Sequence, residues 1–130
     1  MKFVSLEEVL AIHDRMLEIG GGREGVHSFT LLHSAVERPK AQFEGKFLYE
    51  SIWFMAAALL HSLVKNHPFE DGNKRTAYFS TIRLLHKNGY LLEALTSEVV
   101  RFMVAVDTTN KSLDEIASWL KRHGRELSNK

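Results

Sequence analysis

The stretch from His67 to Arg75 brings together most of the side-chain types needed to transfer a charged group. It holds a histidine, the carboxylate of Asp71, the turn-forming Gly72, and the adjacent cations Lys74 and Arg75. His67 is a candidate general base, because the ordinary pKa of histidine lies near working pH. Asp71 is a candidate ligand of Mg²⁺, which often binds through one protein carboxylate and the phosphate oxygens of a substrate. The stretch therefore predicts a site for phosphate chemistry.

The two cations stand at the beginning of a predicted helix over residues 73–88. Unpaired N–H groups and a partial positive charge make a helix N-terminus a binding site for anions. Cations are disfavoured there by about 0.3–1 kcal/mol each. The position of Lys74 and Arg75 therefore indicates that a polyanion binds beside them.

Three further residues of the stretch have predicted roles. Phe69 is apolar within a polar segment and is expected to insert into the core. Gly72 allows a positive φ and the close approach of a ligand to the backbone. Asn73 is expected to cap the helix or to bind a phosphate. Asp-Gly-Asn is also ordinary turn chemistry, so the prediction of a site depends on all these residues occurring together between two helices.

The surrounding sequence predicts helices joined by short loops. Ser5 and Ser112 each begin a capping-box pattern, with a glutamate three residues later. The segment 48–66 is apolar on nearly every side and is predicted to be the central helix. Residues 40–47 lack a helical period and are expected to form an extended flap or hairpin. The other predicted helices cover residues 5–20, 28–37, 73–88, 97–107 and 112–124.

Composition limits the class of protein further. The chain has 130 residues, which suits one domain, predicted over residues 1–125 with a disordered tail at 126–130. Seventeen basic and 16 acidic residues give a net charge of +1, so neither nucleic acid nor a membrane is an expected partner. There are no cysteines, which excludes thiol chemistry and is consistent with a cytoplasmic location. The fold class is predicted to be all-α, with about six helices in one domain.

The stretch resembles the Fic/Doc signature, His-x-Phe-x-Asp/Glu-Gly-Asn-Gly/Lys-Arg. It is most similar to the death-on-curing (Doc) branch, in which a lysine, here Lys74, replaces the second glycine of AMP-transferring Fic enzymes. The arginine that those enzymes carry three residues after the first one falls on Tyr78. Both departures disfavour AMP transfer. The resemblance also covers the N-terminal helix, the glycine loop after it (residues 20–27) and residues 31–39.

This resemblance implies a small all-α fold and a toxin of a toxin–antitoxin pair. The implied activity is transfer of the γ-phosphate of ATP, with Mg²⁺, to a Ser or Thr hydroxyl of a translation factor, which halts translation. His67, Asp71 and Lys74 would be catalytic, and Asp71 would hold the metal. The nucleotide would be bound by Gly72, Asn73, Lys74 and Arg75.

Two alternatives remain open at the level of sequence. One is AMP transfer, as in true Fic proteins. The other is a module that binds a nucleotide or a partner without turnover, although His67 and Asp71 are not needed merely to bind phosphate.

The sequence also predicts where restraint would come from. Fic enzymes that inhibit themselves carry a Ser/Thr-x-x-x-Glu-Gly/Asn helix, and no Ser or Thr of this chain has a glutamate four residues later. We therefore expect a separate antitoxin, bound as a helical segment in an apolar groove beside the anion-binding loop, residues 67–72. Outside the loop, His13 and His61 are predicted to be structural, whereas Arg23 is a weaker candidate for ligand contact.

Overall fold

A computed structural model describes residues 1–127, which form six α-helices, a short 3₁₀ helix (Arg38–Lys40) and two small strand pairs. The strand pairs are antiparallel: β1 (Gln42–Phe43) with β2 (Lys46–Phe47), and β3 (Tyr90–Leu92) with β4 (Gly124–Glu126). The predicted fold class, all-α with about six helices in one domain, is confirmed. The helices are α1 (Leu6–Gly20), α2 (Phe29–Glu37), α3 (Ile52–Lys65), α4 (Asn73–Lys87), α5 (Thr96–Thr108) and α6 (Leu113–His123).

Helix α3 lies at the centre of the domain, as its apolar sequence predicts. Its residues from Met55 to Leu60 are at most 2% exposed, and it packs against α2, α4, α5 and α6. The helix begins later than predicted, at Ile52 rather than near residue 48, because the hydroxyl of Ser51 accepts the N–H of Phe54 and caps it there. Within residues 1–127, no helix combines the length and apolar character needed to span a membrane.

The other helix ends follow local sequence signals. Ser5 and Ser112 form the two predicted capping boxes with Glu8 and Glu115. Helix α1 ends at Gly20, where the predicted glycine loop begins. Residues 42–47 form the hairpin that was one of the two structures expected for this segment.

The end of the chain departs from the prediction. Glu126 pairs with Tyr90 in the β3–β4 sheet, and the N–H of Leu127 donates to the carbonyl of Gly89 at 2.8 Å. The predicted boundary at residue 125 is therefore too early, because β3 offers unpaired backbone groups that the chain after α6 satisfies. Residues 128–130 of the predicted tail lie outside the described residues.

Candidate active site

The loop between α3 and α4 is fixed by backbone hydrogen bonds to the segment that precedes α2. The N–H groups of His27 and Ser28 donate to the carbonyl of Pro68 at 2.7 and 3.1 Å. In the other direction, the N–H of Glu70 donates to the carbonyl of Gly25 at 3.0 Å. These bonds join the loop to the chain between α1 and α2.

Phe69 anchors the same loop in the core, as predicted, with 3% of its surface exposed. The buried ring of His13 stacks on it, with 3.7 Å between ring centroids, and His13 Nε2 lies 2.8 Å from the carbonyl oxygen of Asp71. The side-chain amide of Asn73 accepts the N–H of Phe69 at 3.0 Å and donates to its carbonyl at 2.9 Å. The sequence did not predict these contacts. They assign His13 and Asn73 to the support of the loop.

Asp71 is held as an ionised carboxylate. Its Oδ2 accepts the N–H of Arg23 at 3.1 Å, and its Oδ1 accepts the N–H of Gly72 at 3.0 Å. These two backbone donors, with Arg23 the stronger, lower the pKa of the Asp71 carboxyl below its ordinary value. Each oxygen keeps lone-pair capacity after accepting one bond.

Helix α4 begins with open backbone donors. Its N-cap is Gly72, at φ 77°, and no side chain caps the first turn. The expectation that Asn73 caps the helix is therefore wrong, because its amide is bonded to the loop instead. The free N–H groups of the first turn point out of the helix end beside Asp71, which is the arrangement that binds anions.

Both cations of the first turn have partners within the protein. The Arg75 guanidinium donates to the carbonyls of Met16 and Gly21, each at 2.9 Å, at the C-terminal end of α1. Lys74 Nζ donates to the carboxylate of Asp107 at 3.2 Å. Carbonyls at a helix C-terminus attract cations, so the unfavourable placement at α4 is offset internally. The argument from the helix dipole alone therefore does not require a bound polyanion.

The Asp107 carboxylate joins Lys74 to the candidate base. Its Oδ1 lies 3.3 Å from His67 Nε2, while Oδ2 accepts from Lys74. Burial raises the pKa of the Asp107 carboxyl, but the bond and charge of Lys74, together with His67, outweigh burial and lower it. His67 itself has φ 45°, a left-handed conformation that non-glycine residues seldom adopt. Such conformations cluster at active sites.

Sequence reasoning missed Asp107 because it lies on α5, far along the chain. The structure brings it to the loop through Lys65, in the last turn of α3, whose Nζ donates to the carbonyls of Asp107 and Thr109, each at 3.0 Å. One signal was available: an aspartate in the last turn of a helix is disfavoured by the dipole. Such a residue suggests a nearby cation.

An apolar groove of about 440 Å³ runs between α4 and α5, next to the loop. Lys74 and Arg75 contribute to its lining. Three apolar side chains that line it, Phe79, Val100 and Val104, are between 43% and 56% exposed. Its remaining lining residues are Tyr78, Ala94, Thr96, Val99 and Met103. The groove therefore offers an apolar surface with positive charge alongside it.

Comparison with known proteins agrees with this architecture. Residues 3–85 match the profile of the Fic/DOC family. The chain is 44% identical over 103 residues to the Toxin Doc of Mycolicibacterium smegmatis, covering 77% of this chain and 78% of that protein. It is 29% identical over 126 residues to the Protein kinase doc of Escherichia phage P1, covering 94% and 95% of the two chains. The chain therefore belongs to the Fic/DOC family.

Proposed function

We propose that this protein is a Doc-type toxin that transfers the γ-phosphate of ATP to a Ser or Thr hydroxyl of a translation factor. The observation that carries the proposal is the juxtaposition of an ionised Asp71 with the open N-terminus of α4, with Lys74 in the first turn and His67 linked to it through Asp107. Relatives named as a toxin and as a protein kinase support the same function.

The chemistry assigns one task to each group. His67 takes the proton of the attacking hydroxyl, whose oxygen forms a bond to the γ-phosphorus. The bond between that phosphorus and the β–γ bridging oxygen breaks, and ADP leaves. Lys74 and the amides of the first turn of α4 stabilise the charge on the transferred group, and positioning of this kind does most of the work in phosphoryl transfer.

The residues present fit Mg²⁺–ATP. Asp71 is ionised and retains acceptor capacity beside the uncapped helix end. In the described part of the chain, no three acidic or histidine side chains converge as they would in an all-protein metal site. Mg²⁺ would therefore be held by Asp71 and phosphate oxygens, and it would neutralise charge on those oxygens. Gly72 lets the phosphates approach the backbone. The side chains of Asn73 and Arg75 hold the loop against Phe69 and α1, and their contact with the nucleotide stays a prediction.

Labelled ATP distinguishes the three candidate functions. Purified protein is incubated with a bacterial lysate and either γ-³²P-ATP or α-³²P-ATP, and labelled proteins are separated on a gel. We expect a protein band labelled only from γ-³²P-ATP. A band labelled from α-³²P-ATP would establish AMP transfer instead. Nucleotide binding without any labelled band would identify a binding module.

We also propose that the groove between α4 and α5 receives a helical segment of a cognate antitoxin. Its exposed apolar side chains suit the i, i+3, i+4 and i+7 anchors of an amphipathic helix.

Co-expression with the neighbouring small open reading frame should restore growth, and the two products should co-purify. Val100→Glu should abolish co-purification, whereas Phe29→Glu, which changes an exposed residue on α2, should not. Normal growth of cells that express this protein without the neighbouring gene would contradict the toxin function.

A further inference from the structure

We propose that Asp107 is a positioning residue for the candidate base, selecting the ring nitrogen of His67 that accepts the substrate proton. The inference rests on the proposed kinase function and goes beyond the signature stretch, because Asp107 lies on α5. The observation behind it is that one carboxylate contacts both His67 Nε2, at 3.3 Å, and Lys74 Nζ, at 3.2 Å.

A carboxylate can only accept, so the imidazole nitrogen that faces it carries the proton. In neutral His67 the proton therefore lies on Nε2, and Nδ1 has the lone pair that acts as the base. Among residues 1–127, no group forms a hydrogen bond to Nδ1 of His67, so this nitrogen is available to a substrate hydroxyl. The 3.3 Å contact is longer than a well-formed hydrogen bond, and such contacts often tighten when substrate binds.

The position of the carboxylate is itself fixed. Lys65 binds the carbonyl of Asp107 and the carbonyl of Thr109, which joins the end of α5 to the end of α3. Lys74 Nζ donates to Oδ2 of Asp107, so Oδ1 faces His67. The side chain of Asp107 is 21% exposed, whereas that of His67 is 56% exposed. The better-buried carboxylate of Asp107 therefore orients the more exposed imidazole of His67.

The same contact links the base to phosphate binding. Lys74 is the predicted phosphate contact, and it shares the carboxylate with His67. A phosphate that attracts Lys74 leaves Asp107 to interact with His67 alone. Asp107 thus coordinates the orientation of the base with the arrival of the nucleotide.

The test combines a spectroscopic measurement with a rate. ¹⁵N NMR of the histidine rings, at a pH where imidazole is neutral, reports which nitrogen of His67 is protonated. We expect the Nε2–H form in the wild-type protein and a mixture of both forms in Asp107→Asn, because an amide can either donate or accept. The rate of γ-³²P labelling at saturating ATP should fall by about 10–100-fold, as expected for a misoriented catalytic group.

Asp114→Asn is the matched control, since it removes the same charge from an exposed position on α6. It should leave both the ring form of His67 and the labelling rate unchanged. A dispersed amide spectrum confirms that each variant is folded. A wild-type His67 without the Nε2–H form, or an Asp107→Asn variant with an unchanged or higher labelling rate, would overturn the role of Asp107. If the wild-type protein labels nothing, the kinase function fails, and the ring measurement still decides whether Asp107 orients His67.

Discussion

The imidazole Nε2 of His13 lies 2.8 Å from the backbone carbonyl oxygen of Asp71, which tethers the candidate loop to α1. The carbonyl can only accept, so Nε2 is the donor. Since the same ring stacks on Phe69, one buried side chain supports both the apolar anchor of the loop and its carboxylate-bearing residue.

Replacing His13 by alanine should therefore weaken both stability and activity. The variant loses a buried hydrogen bond and an aromatic contact, and we expect it to unfold about 2–4 kcal/mol more easily in urea. The γ-phosphate transfer rate should fall as Asp71 loses its support. His33→Ala, at an exposed histidine of α2, is the control and should change neither quantity. Normal activity in the His13 variant would show that the other loop contacts suffice.

His67→Ala should abolish transfer and toxicity with little effect on stability. The side chain is 56% exposed, so its removal leaves no cavity. Loss of a positioned base costs about 10²–10⁴-fold in rate. The variant should keep the wild-type thermal midpoint and still bind ATP, measured by calorimetry. Full toxicity at equal expression would exclude His67 as the base.

Lys74→Gly should lose γ-phosphate transfer and gain AMP transfer. The change removes a charge from the first turn of α4 and restores the glycine of the AMP-transferring signature. Parallel labelling with γ-³²P-ATP and α-³²P-ATP measures both reactions. Lys121→Gly, at an exposed lysine in the last turn of α6, controls for the loss of a cation. Unchanged γ-phosphate transfer in the Lys74 variant would show that Lys74 only forms an ion pair with Asp107 and does not act in the reaction.

Gly22 and Gly21 offer a matched pair for testing how closely the glycine loop approaches Asp71. Both have positive φ, at 124° and 73°, so alanine strains the backbone at either position. At Gly22 an added Cβ lies 2.9 Å from Asp71 Oδ2 and 3.0 Å from Leu17 Cδ2, whereas at Gly21 it meets nothing within 4 Å. Gly22→Ala should therefore reduce transfer, measured by labelling, well beyond Gly21→Ala. Urea unfolding of both variants shows how much of the difference comes from stability. Equal transfer activities of the two variants would show that the Asp71 carboxylate can move without loss of activity.

Glu8 should dominate the acid sensitivity of the contact between α1 and α4. Burial raises the pKa of its carboxyl, but bonds from Lys87, Ser5 and Arg83 lower it from 4.5 to about 2. A carboxyl with a lower pKa in the folded state stabilises the fold above its unfolded pKa, and this contribution is lost as pH falls through the folded pKa.

The measurement is the free energy of unfolding as a function of pH. Between pH 4.5 and about 2 the free energy of unfolding of the wild-type protein should fall by roughly 1–3 kcal/mol as the contribution of Glu8 is lost. Glu8→Gln lacks this contribution at every pH. Glu7→Gln changes an exposed glutamate in the same helical turn and should reproduce the wild-type curve. Parallel curves for wild type and Glu8→Gln would show that folding does not lower the pKa of Glu8.

Local sequence determined the helices and their ends. Ser5 and Ser112 cap helices because a hydroxyl at that position accepts an N–H three residues later. The apolar segment that becomes α3 is buried because no other placement removes it from water. The candidate loop could be recognised for the same reason: its residues are adjacent in the chain, and the turn between α3 and α4 keeps them together.

Tertiary structure decided what each charged group of the site contacts. No local pattern indicates that Arg75 binds the end of α1 or that Asp107 joins His67 to Lys74. The sequence also predicted that Glu126 belongs to a disordered tail, although Glu126 pairs with Tyr90 in the β3–β4 sheet. Local signals act over one or two turns of helix, whereas these contacts depend on how α1, α4 and α5 pack around α3. The sequence by itself therefore determined the family, the helices and the candidate base, and only the packed fold determined which side chains contact that base.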